Sequence, residues 1–364
     1  MRKLVFLLLF FLVVLFSACQ TESVQLVDTT RIVTDVWGRQ VEIPVEIENI
    51  ITLGPGATRI AVYLGVEHYI IAAETQTASL NMRMDFSPVV YERFRHLPIV
   101  GRGGGGGENN AYAEEIIRLA PDVILAAFSA EAAAQLQRQT GIPVVSVRYT
   151  STGLANETFF EAVLVFAEVL DQNQRAEELL AQIKHLKADL SSRTAGVLAQ
   201  ERKRVYAGAV TFAGQRGFGG TYSNFGPLAV IGAYNVADTA RESGFYEVDF
   251  EQILFWDPDV IFLDPGNMHL VHAEYISNPT FFRSLRAVQT GRVYTLPAFN
   301  FSATNITYAL INAYFAGTVL FPEQFADIEI AEKAGEILYF FLGENTFSQM
   351  QEAGLFYGQI TIGE

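Results

Sequence analysis

Six arginines, Arg59, Arg83, Arg102, Arg148, Arg216 and Arg241, fall in segments that read as loops beyond apolar strands, and none of the cations in those loops is lysine. A planar guanidinium presents paired N–H donors that match the oxygens of carboxylates and catecholates, so such loops suit an anionic ligand, for example a ferric chelate. Solvated, scattered loop arginines are the competing reading for any one of them. The preference for Arg runs through the chain: of 25 cations, only Lys3, Lys184, Lys187, Lys203 and Lys333 are lysine. A second constellation is His269 and His272, with Asp264 and Glu274 close by, in what reads as a loop. His-x-x-His without further ligands of defined spacing favours solvated histidines over a metal site, and metal storage or metalloenzyme chemistry there is the alternative of another class. The run Gly101-Arg102-Gly103-Gly104-Gly105-Gly106-Gly107 lacks the Gly-Lys-Ser/Thr of a phosphate loop. It reads as a mobile cleft rim or a close backbone approach to ligand. No Ser/His/Asp order, metallohydrolase motif or coupled carboxylate pair stands out, so an enzyme is not expected and no cofactor is implied beyond the ligand.

Composition narrows the field. The 364 residues are 50% hydrophobic, with 28 Phe and 15 Tyr, which excludes disorder and a minimal disulfide-stapled scaffold. Net charge is −15, against the electrostatic footprint that nucleic-acid binding needs. The length suggests two domains or one long one.

The chain opens with Arg2 and Lys3, then an apolar run from Leu4 to Phe16, too short for a confident membrane span and consistent with an export signal. Phe16-Ser17-Ala18-Cys19 follows, with the protein's one cysteine. This resembles a bacterial lipoprotein signal in which Cys19 becomes the lipidated N-terminus, and Phe16 departs from the usual Leu. An ordinary cleaved signal with a chance cysteine is the alternative. Residues 1–18 are thus expected to be a lipoprotein signal peptide and 19–30 a tether, with acyl chains holding an otherwise soluble body at a membrane.

The elements that must position the arginines follow a βαβ rhythm. A hairpin is expected around Trp37-Gly38-Arg39. Strands are expected at Ile50–Leu53, Tyr69–Ala73, Ile99–Val100, Val123–Ala127 and Val144–Val147, with a helix at Thr58–Leu64. Between Asn156 and about Leu198 the rhythm gives way to helix: Asp171 and Gln174 have capping-box spacing, and Leu179, Leu180, Ile183, Leu186 and Leu190 recur at helical intervals. Roughly 25 helical residues make a rod of about 38 Å. Strands resume at Arg204–Ala209, Val260–Leu263 and Val293–Leu296. An internal repeat links the two halves, with Glu114 to Ile124 aligning on Glu251 to Ile261. Each copy is a helix, a Pro-Asp and a buried strand, with a glutamate seven residues ahead of the proline. The expected organisation is an N-terminal α/β lobe at 31–155, a helical segment containing the linker at 156–200, and a C-terminal α/β lobe at 201–364. The fold class is α/β: two Rossmann-like lobes with parallel sheets, joined by a long backbone helix, with a ligand cleft between them at the loops beyond the strand ends.

Taken in order, Val33-Thr34-Asp35, Gly38-Arg39-Gln40-Val41, Ile51 to Thr58, the Pro-Asp-Val-Ile pair, Gly232 to Ala237, and Phe282 to Tyr294 resemble one family over nearly all the exported chain. It is the ABC-importer substrate-binding proteins with a rigid backbone helix, which receive iron-siderophores, haem or corrinoids. The resemblance implies capture of an iron(III) chelate outside the membrane, facing periplasm or cell exterior, by a monomer that delivers it to a permease dimer with ATPase subunits. Corrinoid or haem is the alternative within the fold. Glu114 and Glu251 match the family positions that project toward permease arginines, although acids in a helix's first turn are also favoured by the macrodipole. Phe128 and Phe245 match positions where corrinoid-binding relatives present aromatics, and Tyr222 and Tyr246 are near enough to contact ligand or metal. The first-lobe counterpart of Phe245 is Glu108, which departs from a paired aromatic clamp.

Overall fold

The computed structural model describes residues 29–104, 110–149 and 153–363. Cys19, the signal segment, Glu108 and Gly105 to Gly107 lie outside the described residues. Among those described, no helix is long and apolar enough to cross a membrane.

An antiparallel ribbon, β1 (Thr30–Thr34) and β2 (Gln40–Pro44), precedes the first lobe. Its sheet contains β3 (Ile50–Leu53), β4 (Ile70–Glu74), β5 (Ile99–Gly101), β6 (Val123–Ala126) and β7 (Val144–Ser146) in the order β5-β4-β3-β6-β7, all parallel. The crossovers carry α1 (Ala57–Tyr63), α2 (Ser87–Phe94), α3 (Ala113–Leu119) and α4 (Ala130–Thr140). Next come α5 (Glu157–Val169) and α6 (Asn173–Arg193). The second sheet is β10-β8-β12-β13, also parallel, from β8 (Arg204–Gly208), β10 (Tyr234–Asn235), β12 (Val260–Leu263) and β13 (Val293–Thr295). Beside it β9 (Gly220–Ser223) and β11 (Gly244–Glu247) form a second antiparallel ribbon. The remaining helices are α7 (Phe250–Trp256), α8 (Met268–Ser277), α9 (Ile306–Leu320), α10 (Ile330–Leu342) and α11 (Phe347–Glu352), with short helical turns between some of them.

The strands are apolar on both faces, as strands covered by helices on each side must be. Their alternation divides the core into three. Ile50, Val123 and Leu125 of the first sheet, with Val205, Ala207, Val260 and Phe262 of the second, share one central cluster that also takes in α6 and α9. Ile51, Leu53, Ile124 and Ala126 face an outer cluster of the first lobe, and Tyr206, Ile261 and Leu263 face one of the second.

The connecting rod differs from its expected form. Asp171, at φ 54°, breaks the helix between α5 and α6, so Asp171 lies in the turn and pairs with Arg31 at 3.6 Å instead of capping α6, whose N-cap is Gln172. The 21 residues of α6 span about 32 Å. Its predicted stripe is buried as expected, with Ala176 added. Arg175 binds the carbonyls of both Tyr63 in α1 and Phe340 in α10, stitching the connector to helices from either end of the chain.

The lobes are also joined by a buried polar knot. Arg59 on α1 is fully buried; its Nε meets Asp85 Oδ1 at 2.7 Å, and its terminal nitrogens donate to Asn305 Oδ1 and the Ser302 and Phe301 carbonyls across the interface. Asp85 Oδ2 accepts from the hydroxyls of Tyr63 and Thr307, the latter at 2.8 Å. Asn305 Nδ2 donates to the Arg83 carbonyl at 3.0 Å. Burial opposes charge on Arg59, but Asp85 together with Tyr149 and Tyr63 outweighs it and the guanidinium is held firmly protonated. Removing one partner of a buried pair strands the other charge and costs about 3–5 kcal/mol. Arg59→Ala and Asp85→Ala should each lower the urea midpoint accordingly, and the double variant should lose far less than the sum of the two. Additive losses in such a cycle would contradict this assignment.

Candidate functional site

The C-terminal edges of the two sheets face each other. From the first lobe, Tyr149 just beyond β7 donates its hydroxyl to the Thr304 carbonyl, and Arg83 donates to the Gly266 carbonyl at 3.2 Å. From the second, Gln215 reaches the same Gly266 carbonyl at 2.9 Å. Gly56 is required at this junction: its φ is 86°, and an added Cβ would lie 2.0 Å from the Tyr149 ring.

The structure sorts the expected ligand residues into three groups. Arg59 and Arg83 belong to the lobe junction, and Arg59 offers no free donor surface because it is wholly buried. Arg102, Phe128 and Arg148 lie at the edge of the first sheet. Arg102 and Arg148 are exposed, Arg148 over the Trp37 ring at 5.2 Å. Trp37 is fixed by its indole N–H donating to the Phe128 carbonyl at 3.0 Å. Phe128 itself is only 3% exposed and packs beneath Gly54, so it supports the edge from below rather than presenting its ring. Arg216, Tyr222, Arg241, Phe245 and Tyr246 come together on the β9–β11 ribbon, where Phe245 pairs with Tyr222 across the strands.

That ribbon is a stacked cation and aromatic surface. Phe245 stacks on Phe212 at 4.9 Å, and Arg216 lies 5.0 Å over the outer ring while its Nε donates to the Phe212 carbonyl at 3.0 Å. Arg216 also approaches Glu247 at 3.5 Å. Arg241 donates to the Phe245 carbonyl at 2.9 Å. Tyr246 donates its hydroxyl to the Ala237 carbonyl, and burial is the main cause of its pKa being pushed up to about 12, so it is a neutral donor at physiological pH. Rings continue from Tyr222 through Phe225 to Phe299. They lead to a shallow depression at the second sheet's edge, lined by Val210, Thr211, Phe225, Asp264, Phe299 and Asn300 among others.

Sequence reasoning did not single out Trp37, Phe212 or Glu74. Trp37 was legible only as part of a hairpin turn; what brings it to Arg148 is the ribbon folding over the sheet. Glu74 carried a local signal, being the acid that closes the apolar run Ile70-Ile71-Ala72-Ala73. Among the described residues its buried carboxyl has one hydrogen bond, from the Gly54 N–H at 3.1 Å, and desolvation pushes its pKa up to about 7. Asp264 is also raised by burial but accepts from the Thr211 hydroxyl at 2.6 Å and the Gly266 N–H at 2.9 Å.

The expected His269/His272 loop is instead helix α8, followed without a break from the turn at Pro265–Asn267. Its neighbouring carboxylates serve the fold: Asp264 as above, and Glu274 by accepting the Phe218 N–H at 2.7 Å. Among the described residues no three His, Cys, Asp or Glu side chains are grouped to hold a metal.

The repeated helices α3 and α7 explain their own sequence likeness. Each ends in a left-handed residue, Ala120 at φ 48° and Asp257 at φ 39°. The Asp of each Pro-Asp then accepts backbone N–H groups ahead of the neighbouring strand, Asp122 from Glu48 and Asn49, and Asp259 from Arg204. Glu114 and Glu251 are the second residues of α3 and α7, both exposed, and neither has a hydrogen bond or ion pair among the described residues.

Two parallel-sheet lobes meeting edge to edge, with guanidiniums and aromatic rings at those edges, define a solute-binding protein. The chain belongs to the periplasmic binding protein family, whose sequence profile matches residues 50–299. It is similar to the molybdate-binding protein MolA of Haemophilus influenzae, 25% identical over 322 residues that cover 82% of this chain and 87% of MolA. A periplasmic solute binding protein from Veillonella parvula superposes with a TM-score of 0.69 at 20% identity, covering 90% of this chain and 97% of that one. MolA bound to molybdate superposes with a TM-score of 0.64 at 21% identity, covering 86% and 98%. The protein is therefore a substrate-binding component of an ABC transporter, exported to the periplasm, and not an enzyme.

The Glu74 environment has a measurable consequence. A carboxyl whose pKa rises from about 4.5 unfolded to about 7 folded stabilises the native state below pH 4.5 relative to higher pH, and that contribution is lost as pH rises through 7. At pH 8 the burial cost reaches about 3 kcal/mol. Glu74→Gln should raise the melting temperature at pH 8 and leave it nearly unchanged at pH 4.5; a difference that is the same at both pH values would refute the buried, unpaired carboxylate.

Proposed function

We propose that this protein captures an iron(III) chelate of the siderophore type between its lobes and delivers it to a permease dimer driven by ATPase subunits. The observation that carries this reading is the pairing of guanidinium with aromatic face on both lobes, Arg148 on Trp37 and Arg216 on Phe245, which stacks in turn on Phe212. Flat rings supply contact area to aryl groups of a chelate, and the adjacent cations complement its negative charge. Arg241, Tyr222 and Tyr246 belong to the same ribbon as Phe245, and Arg102 adds an exposed cation beyond β5 of the first sheet. Haem and corrinoids are alternative ligands of similar flatness and size. A small oxyanion is the second reading, favoured by the likeness to a molybdate-binding protein. Cys19 is assigned as the lipidated residue that tethers the body to the membrane, and the protein acts as a monomer.

Glu114 and Glu251 are assigned to permease docking. Both are exposed, one on each lobe, with no side-chain partner among the described residues, and three residues beyond each is an apolar side chain about half exposed, Ile117 and Leu254. Carboxylates set in a partly apolar pad suit a partner that presents arginine, with charge supplying orientation and association rate.

Two experiments test these assignments. Titrating the protein with an iron(III) tris-catecholate, haemin, cobalamin and molybdate, followed by tryptophan fluorescence, should give saturation with the catecholate, weakened at least tenfold by Arg216→Ala. Saturation with molybdate alone would move the assignment to the oxyanion. Reversing both docking charges, Glu114→Arg with Glu251→Arg, should leave ligand affinity unchanged and abolish uptake by cells; undiminished uptake would remove docking from these residues.

A further inference from the structure

We infer that Glu74 makes anion capture proton-dependent: its carboxyl, buried at the edge of the first sheet with the Gly54 N–H as its one donor among the described residues, must be neutral for an anionic solute to seat beside it. This rests on the reading of the cleft as an anion site.

Glu74 closes β4, between β3 and β5 in the sheet, and so lies among the loops that face the second lobe. It is 4% exposed. Three glycines converge on it. Gly54 donates its N–H to Oε1 at 3.1 Å; an added Cβ on Gly101 would lie 3.6 Å from Glu74 Cγ, and one on Gly103 would lie 3.3 Å from Glu74 Cβ and 2.8 Å from Gln76 Cβ. Gly54 and Gly103 also have φ values of 82° and 74°, which disfavour any side chain there. Glycine backbone from two of the loops beyond the strand ends therefore packs around the Glu74 side chain.

Among the described residues, the groups on the neighbouring elements do not neutralise it. The loop after β3 is Gly54-Pro55-Gly56, and Phe128 beyond β6 packs on Gly54. The turn after β4 itself, Thr75-Gln76-Thr77, is uncharged; Thr77 exchanges hydrogen bonds with the Glu74 backbone, and Gln76 accepts from Gly104. Beyond β5 the cation is Arg102, which is exposed and forms no ion pair with Glu74. With one amide partner among the described residues the carboxyl is desolvated, and burial pushes its pKa up to about 7.

A solute that brings negative charge to this edge opposes ionisation of Glu74. By linkage, binding above pH 7 then takes up a proton, and below it does not. Gln keeps the acceptor for Gly54 and removes the charge.

The test is calorimetric titration with molybdate and with an iron(III) tris-catecholate from pH 6 to 8.5, in two buffers of different ionisation enthalpy. The expected result is that Kd of the anion that binds rises up to tenfold per pH unit above about 7, with uptake approaching one proton per ligand. Glu74→Gln should abolish both effects and bind at pH 8.5 as the unaltered protein does at pH 6. Binding that is independent of pH with no proton uptake, or a slope that persists in Glu74→Gln, overturns the inference and leaves the anion reading standing. Failure of both anions to bind at every pH overturns the anion reading, and this inference with it.

Discussion

The ion pair of Arg59 with Asp85 is the constraint on which the arrangement of the cleft depends. Two charges out of water are tolerated only when every remaining donor and acceptor is used, and here the acceptors come from both lobes. The pair does little for net stability compared with apolar side chains of similar shape. Its effect is positional: Asn305 must present its amide to Arg59, Asp85 and Arg83 together. That requirement sets segment 301–307 against the first lobe and, through it, the start of α9. The shared central core then reinforces what the polar knot specifies.

Fixing the lobes in this way gives the site its character. The two sheet edges offer different surfaces, a mounted arginine above Trp37 on one side and a stacked ribbon with two arginines on the other. Several of the acids near these edges are taken up by the fold. Asp85 is matched by Arg59, Asp264 by hydroxyl and amide donors, and Glu247 approaches Arg216. Glu74 is buried with the Gly54 N–H as its one donor among the described residues.

Much of this architecture could be read from residues alone. The βαβ rhythm gave strands that recur nearly at their expected bounds, and the leucine stripe marked the face of α6 that is buried. The Pro-Asp repeat was legible because its physics is local: a left-handed helix end, then an aspartate that holds the neighbouring strand. What was not legible depends on contacts across long sequence separations. Arg59 read as a ligand arginine because nothing nearby in sequence reveals that Asn305 consumes its donors. Phe128 is buried by Gly54, and Trp37 gains its place from a ribbon folding back on the sheet. The break at Asp171 escaped notice because its acid and Gln174 have the spacing of a cap, whereas the turn uses Asp171 in a left-handed conformation. His269 and His272 read as loop because their helix has no clear amphipathic pattern.

The central claim is that paired guanidinium and aromatic surfaces on the two lobes hold an iron(III) chelate. Its most direct test is the metal content and visible absorption of the protein purified from its own host under iron limitation. The account predicts close to one equivalent of iron and a charge-transfer band, both lost when Arg148 and Arg216 are replaced by alanine together. One equivalent of molybdenum with no iron, or iron retained in that double variant, would contradict it.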